Sequence, residues 1–184
     1  MRVAVSGSHG SGKSTLIEAF VENHPEYQHE PEAYELLEES FSAEPSAEDF
    51  FRQLECHIQQ LEKYHSGDRV IIERSPADYV AYLKALVVLH RDNAARQLFD
   101  EASVLARKAI HSLDVIVFLS TRDVRSYVPD EEDLELRRAV NDILESLLLH
   151  DELDLLSSRS TVVVEASGTL EERIQLLEQV TQQR

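Results

Sequence analysis

The sequence predicts an α/β protein: a three-layer α/β/α arrangement around a parallel sheet of about five strands. Three observations carry that expectation. Short β-branched runs alternate with longer stretches that are apolar at helical spacing. Runs such as Val70-Ile71-Ile72 and Val115-Ile116-Val117-Phe118-Leu119 are apolar at consecutive positions, as strands covered on both faces must be. A glycine-rich turn, Gly7 to Ser14, joins the first strand to the first helix.

Each element has a local reason. Arg2 to Ser6 reads as the first strand, and Gly12 to Asn23 as the first helix, stopped by His24-Pro25. Tyr27 to Glu30 reads as a short strand ended by Pro31. Glu32 to Ser40 is expected to be helical, with Tyr34, Leu36, Leu37 and Phe41 as its apolar members. Pro45-Ser46 opens a longer helix, Ala47 to His65, in which Phe50, Phe51, Leu54, Ile58 and Leu61 share one face. Ser66-Gly67-Asp68 turns the chain into the strand Arg69 to Ile72. Pro76 suits the first turn of the next helix, and Asp92 to His111 forms another. Val115 to Leu119 is a buried strand, Ser120 to Asp133 a charged loop and Leu134 to Leu149 a helix. Thr161 to Glu165 is the last strand, followed by a closing helix from Thr169 to Gln179.

Length and composition fit a single domain spanning 1–184, with a lid at about 120–138. Only five Gly and five Pro punctuate the chain, which disfavours linkers and a second domain. A net charge of −17, from 18 Lys+Arg against 35 Asp+Glu, argues against a nucleic-acid partner, which needs a basic footprint. It leaves room for a nucleotide, whose site needs only local positive charge. No apolar run is long enough to span a membrane. The strand begins directly after Met1, so no leader is expected, and the lone Cys56 rules out an internal disulfide. These features predict a cytoplasmic protein; they do not set its oligomeric state.

The loop Gly7-Ser8-His9-Gly10-Ser11-Gly12-Lys13-Ser14 fits the phosphate-binding pattern G-x-x-x-x-G-K-[ST], or Walker A. Glycines let the backbone approach a ligand, and successive N–H groups with a helix N-terminus behind them form an anion nest. Lys13 is expected on the β- and γ-phosphates and the Ser14 hydroxyl on Mg²⁺, while Thr15 contacts the α-phosphate or is structural. His9 fills a tolerant position of the loop. The chain carries no Asn/Thr-Lys-x-Asp guanine motif, which points to ATP rather than GTP.

In a parallel sheet of this kind, ligands bind at the carboxyl ends of the strands. That rim receives Glu30, Glu73-Arg74-Ser75, the Ser120 to Asp133 loop and the segment Ala166 to Gly168, expected near the adenine edge. Glu73 could hold Mg²⁺ as a Walker B acid does, or close an ordinary ion pair; Arg74 could neutralise a phosphoryl group. Glu30 is a candidate base for an acceptor hydroxyl, or simply a strand end. Among Arg122, Arg125, Arg137 and Arg138, Arg137 is the first choice for a lid arginine and Arg125 the second; nearby acids Asp130 to Asp133 offer surface pairing instead. His57, His65, His90, His111 and His150 share no ligand spacing, so no histidine metal site is expected. Tyr79 and Tyr82 read as core, and Gln53 is a candidate contact to a substrate base.

The order Gly7 to Ser14, Glu30-Pro31, Glu73-Arg74-Ser75 and then an arginine-bearing lid resembles deoxynucleoside kinases and their nucleoside/nucleotide kinase relatives. The chain also resembles, over nearly its whole length, AAA-like P-loop proteins with a strand-end acid-Arg-Ser/Gly-x-Pro motif. The resemblance implies a nucleotide kinase-like P-loop NTPase fold, with Glu30 as catalytic base and Glu73-Arg74-Ser75 holding donor and acceptor. It departs from the kinases in lacking a Trp after Glu30-Pro31 and an Arg-x-Arg-x-x-Glu lid run, and in a shorter Gln53 helix. The expected activity is transfer of the γ-phosphate of ATP·Mg to a nucleoside, nucleotide or similar acceptor, with Lys13, Glu30, Glu73, Arg74 and Arg137 as the catalytic set. The alternatives are a nucleotide-dependent ATPase or switch acting on a protein partner, and a binding module without catalysis.

Overall fold

The first strand, β1 (Arg2–Ser6), sits at the centre of a five-stranded parallel sheet with strand order β2-β3-β1-β4-β5. The other strands are β2 (Gln28–Glu30), β3 (Val70–Glu73), β4 (Val115–Leu119) and β5 (Val162–Ala166). The computed structural model describes residues 1–37, 46–121, 133–156 and 160–182. The chain lays strands on one side of β1, through β3 and β2, and then on the other, through β4 and β5. The order therefore reverses at β1, and the loop after it lies in the crevice that such a reversal opens.

Both faces of the sheet are covered, which explains the consecutive apolar residues. Val3, Val5, Ile71, Val117 and Leu119 pack on one face with Leu16, Ile17 and Phe20 of α1 (Lys13–Asn23) and Leu177 of α7 (Leu170–Gln182). Each of those fully buried α1 side chains contributes roughly 1.5–3 kcal/mol. Ala4, Ile72, Ile116 and Phe118 face the other way. They meet α3 (Ala47–Leu61), α4 (Pro76–Val88), α5 (Ala95–Ala109) and α6 (Leu134–Leu149).

Polar side chains set the helix boundaries. Asp49 N donates to Ser46 Oγ at 3.2 Å and Ser46 N to Asp49 Oδ2 at 2.8 Å, a capping box that starts α3. The helix ends at Leu61 rather than His65, because Asp68 Oδ2 captures the His65 N–H at 2.7 Å. Asp92 accepts from Ala94 N at 2.8 Å and from Ala47 N at 2.9 Å, so α5 starts at Ala95 instead of Asp92 and is tied to α3. A 3-10 turn, Ile110–Ser112, leads into β4.

The expected helix from Glu32 to Ser40 is one turn, α2 (Ala33–Leu36), after which Leu37 is extended. Tyr34 and Leu36 are exposed, so little apolar burial supports a longer helix. Residues 38–45, including Phe41 and Pro45, lie outside the described residues, as do 122–132. Among the described residues, no helix is long and apolar enough to cross a membrane.

Candidate active site

The phosphate loop leaves β1 at Gly7 and enters α1 at Lys13. Gly10 and Gly12 have φ of 65° and 89°, left-handed positions that favour glycine. At Gly7 the constraint is space: a Cβ there would lie 2.6 Å from Ser11 Oγ and 3.1 Å from the Leu119 carbonyl. Ser14, Thr15 and His9 are exposed at the mouth, whereas Lys13 is buried.

The end of β3 faces this loop. Ser14 Oγ donates to Glu73 Oε1 at 3.1 Å, and Lys13 Nζ lies 4.0 Å from the same oxygen. Arg74 has φ of 69°, an unusual backbone for a non-glycine residue that costs about 1–3 kcal/mol. Asp78 holds this turn. It accepts from Ser75 N at 2.8 Å, from Ser75 Oγ at 2.9 Å and from Gly7 N at 3.0 Å, and lies 3.6 Å from Arg74 Nη1. One fully buried carboxylate thus caps α4, anchors the start of the loop and neutralises Arg74. The Arg74 guanidinium also sits 5.2 Å above the Tyr82 ring, which stacks on Phe50 of α3. Gln53 is buried one turn further along α3.

The two glutamates flanking Pro31 have different surroundings. Glu30 receives hydrogen bonds from Gln28 Nε2 at 3.0 Å, from Gln60 Nε2 at 3.2 Å and from Tyr64 Oη. Gln28 begins β2, and Gln60 and Tyr64 lie at and beyond the end of α3, so the Glu30 carboxylate turns toward the amino ends of the strands. Glu32 forms an ion pair with Arg74. The structure thus pairs Glu32 with Arg74 in the turn after β3, and Glu30 with Gln28, Gln60 and Tyr64. Glu30 is the last residue of β2 and shares the face of its register partner Ile72, inside the α3–α6 core, whereas Glu32 lies past Pro31, beyond the strand.

Arg137, in the first turn of α6, donates to the Gly10 carbonyl at 3.2 Å. Thr121 N donates to Asn141 Oδ1 at 3.0 Å, fixing the loop after β4 to the same helix. Arg122 and Arg125 lie outside the described residues, and Arg138 is exposed. Two residues that sequence reasoning missed complete the cradle. Asp78 had a legible signal, the Ser-x-x-Asp spacing of a cap at Ser75. Arg173 had none; it comes from α7 and donates to the Ser11 carbonyl at 3.0 Å. Lys13, Arg74, Arg137 and Arg173 thus bond to the carbonyls of Ser8, Gly7, Gly10 and Ser11. Burial, aided by the Arg74 charge, lowers the pKa of Lys13 to about 7 against the opposing pull of Asp78 and Glu73.

A central parallel sheet with a phosphate loop at its reversal point, ringed by cations and strand-end acids, defines a P-loop kinase-like NTPase. The fold is related to that of deoxynucleoside and nucleotide kinases, and the family match below supports ATP binding. The chain belongs to the AAA domain family, whose model matches residues 2–173. Its fold is similar to that of deoxyadenosine kinase from M. mycoides with bound dATP, at 14% identity, 99% and 100% coverage of the two chains and a TM-score of 0.67. Thymidylate kinase from Candida albicans is similar at 15% identity, 99% and 91% coverage and a TM-score of 0.66. NadR protein in complex with NR is similar at 19% identity and a TM-score of 0.66, over 98% of this chain and 50% of that one. Comparison with curated protein sequences gives no match. At these identities the structural likeness is one of fold.

Proposed function

We propose that this protein is an ATP-dependent phosphotransferase acting on a small acceptor, a nucleoside, nucleotide or similar molecule. The observation that carries the reading is the separation of two acids around one loop. Glu73 lies against Ser14 and Lys13, while Glu32 lies against Arg74. The first acid can serve the donor's metal, and the second is available to take a proton from an acceptor hydroxyl.

The donor's phosphates lie on the loop N–H groups and Lys13. Ser14 Oγ and the Glu73 carboxylate are adjacent hard oxygen donors, which fits Mg²⁺. Among the described residues no cluster of three or more His, Cys, Asp or Glu could hold a metal, so phosphates and water would complete the set. The ion supplies charge neutralisation on the phosphates. The acceptor lies over Arg74 and beside Tyr82 and Phe50, with Gln53 within one helical turn for a polar contact. Glu32 accepts the acceptor hydroxyl proton as that oxygen bonds to the γ-phosphorus and the bond to the β–γ bridging oxygen breaks, releasing ADP. Arg74 and Arg137, with lid residues around 120–138, neutralise the transferring group.

The test is ADP release from ATP·Mg with and without a panel of nucleosides, nucleotides and nicotinamide riboside. Acceptor-dependent release is expected. Acceptor-independent release would replace the reading with an ATPase or switch acting on a protein partner, and tight ATP binding without release would replace it with a binding module.

A further inference from the structure

We propose that Arg173 is a phosphate-contacting residue of the donor site, supplied from α7 on the far side of the loop from Arg74. The inference rests on the reading of the loop as an ATP site. Its first support is position. Arg173 Nη1 donates to the Ser11 carbonyl at 3.0 Å, and the same nitrogen lies 3.5 Å from where a Cβ on Gly12 would stand. The guanidinium is therefore held at the turn from the loop into α1, where helix N–H groups and the phosphate nest converge.

The second support is an unmet requirement. Arg173 is only 6% exposed, yet its Nε and Nη2 have no hydrogen-bond partner, and among the described residues no carboxylate pairs with it. Burial lowers its pKa below the ordinary arginine value, with no compensating charge. A buried cation is retained at a cost unless something anionic meets it. Arg74, by contrast, is buried with Asp78 and Glu32. A planar donor fork beside a phosphate loop matches phosphate oxygens.

The third support is how firmly the residue is set. Gly168, at φ of 84°, turns the chain after β5. Thr169 N donates to Glu172 Oε2 at 2.7 Å and Glu172 N to Thr169 Oγ1 at 3.3 Å, so a capping box starts α7. Arg173 follows at once, its N–H bonded to the Thr169 carbonyl at 3.1 Å. The segment expected near the adenine edge thus also delivers a charge to the phosphates.

Calorimetric titration with Mg·ATP and with Mg·tripolyphosphate tests this on the wild type, R173Q and R173K. R173Q retains a donor for the Ser11 carbonyl but no charge. It should bind both ligands roughly tenfold to hundredfold more weakly, with a shallower salt dependence, and R173K should recover part of the loss. Equal affinities and salt dependence in R173Q and the wild type would overturn the proposal. A loss for ATP alone would also overturn it, since the contact would then be to the nucleoside. Failure of the wild type to bind either ligand would instead remove the donor-site reading beneath it. Should R173Q not fold, amide exchange across 169–177 of the wild type decides: slowing by tripolyphosphate is expected, and unchanged exchange overturns the assignment.

Discussion

Glu32 and Arg74 form a buried ion pair that joins the segment after β2 to the turn after β3. Arg74 reaches the Gly7 carbonyl at 3.4 Å, so this acid is coupled to the loop through one side chain. E32Q is expected to lower phosphoryl transfer by about 10²–10⁴-fold while ATP still binds. E30Q is expected to act on stability, through Tyr64 and Gln60, more than on transfer. Coupled ADP release with calorimetric ATP binding separates the two; loss of transfer in E30Q alone would return the base role to Glu30.

The lowered pKa of Lys13 makes nucleotide binding a proton-linked event. Below about pH 7 the ammonium is already formed; above it, the free protein holds a neutral amine that must gain a proton to face phosphate. ATP affinity should therefore fall as pH rises from 7 to 9. Titrations at pH 8 in buffers of different ionisation enthalpy should show proton uptake on binding, and K13M should abolish it.

His57 is fully buried beside Tyr79, with ring centroids 5.4 Å apart, and burial pushes its pKa down to about 4. A base whose pKa is lower in the folded than in the unfolded state stabilises nothing by protonating. Stability from this group is complete above the unfolded value near 6.5 and is lost as pH falls toward 4. The loss approaches about 3 kcal/mol. Denaturant unfolding at pH 7 and pH 4.5 should show a smaller difference in H57Q than in the wild type.

Asp78 neutralises a buried guanidinium while capping α4 and holding Gly7. D78N keeps much of the shape and removes the charge, which should cost about 3–5 kcal/mol of unfolding free energy. Urea denaturation measures it directly; a change below one kilocalorie, as at an exposed pair, would show that Glu32 alone suffices for Arg74.

Ser14 and Glu73 should act on Mg²⁺ dependence rather than on ATP affinity in chelator. S14A and E73Q are each expected to reduce the gain in ATP affinity that Mg²⁺ confers on the wild type. Titration with and without the ion gives the comparison.

The sheet and the loop were legible because consecutive apolar residues and the glycine-lysine spacing are local signals that burial and phosphate geometry both demand. Glu73 and Arg74 were legible because the strand before them is unmistakable. The surroundings of Glu30 and Glu32 were not legible, because Glu30-Pro31 marks a strand end and sequence does not say which partners the two acids flanking the proline will find. Pairing of Glu30 with Gln60 and Tyr64 depends on where α3 ends, which Asp68 decides from outside the helix. Arg173 was illegible for a simpler reason: it is one cation in an acidic amphipathic helix, and only the packing of α7 beside α1 brings it to Ser11.

That same contact spans 162 positions of chain, and β1 itself pairs with strands that begin at Val70 and Val115. During synthesis the loop leaves the ribosome before either strand, and its glycines then have no neighbouring strand to hold them. Such distant pairings form late and slowly. The loop with all its supports, the two flanking strands and the Ser11–Arg173 contact, is therefore a late product of folding, though its own residues lie next to one another in the chain.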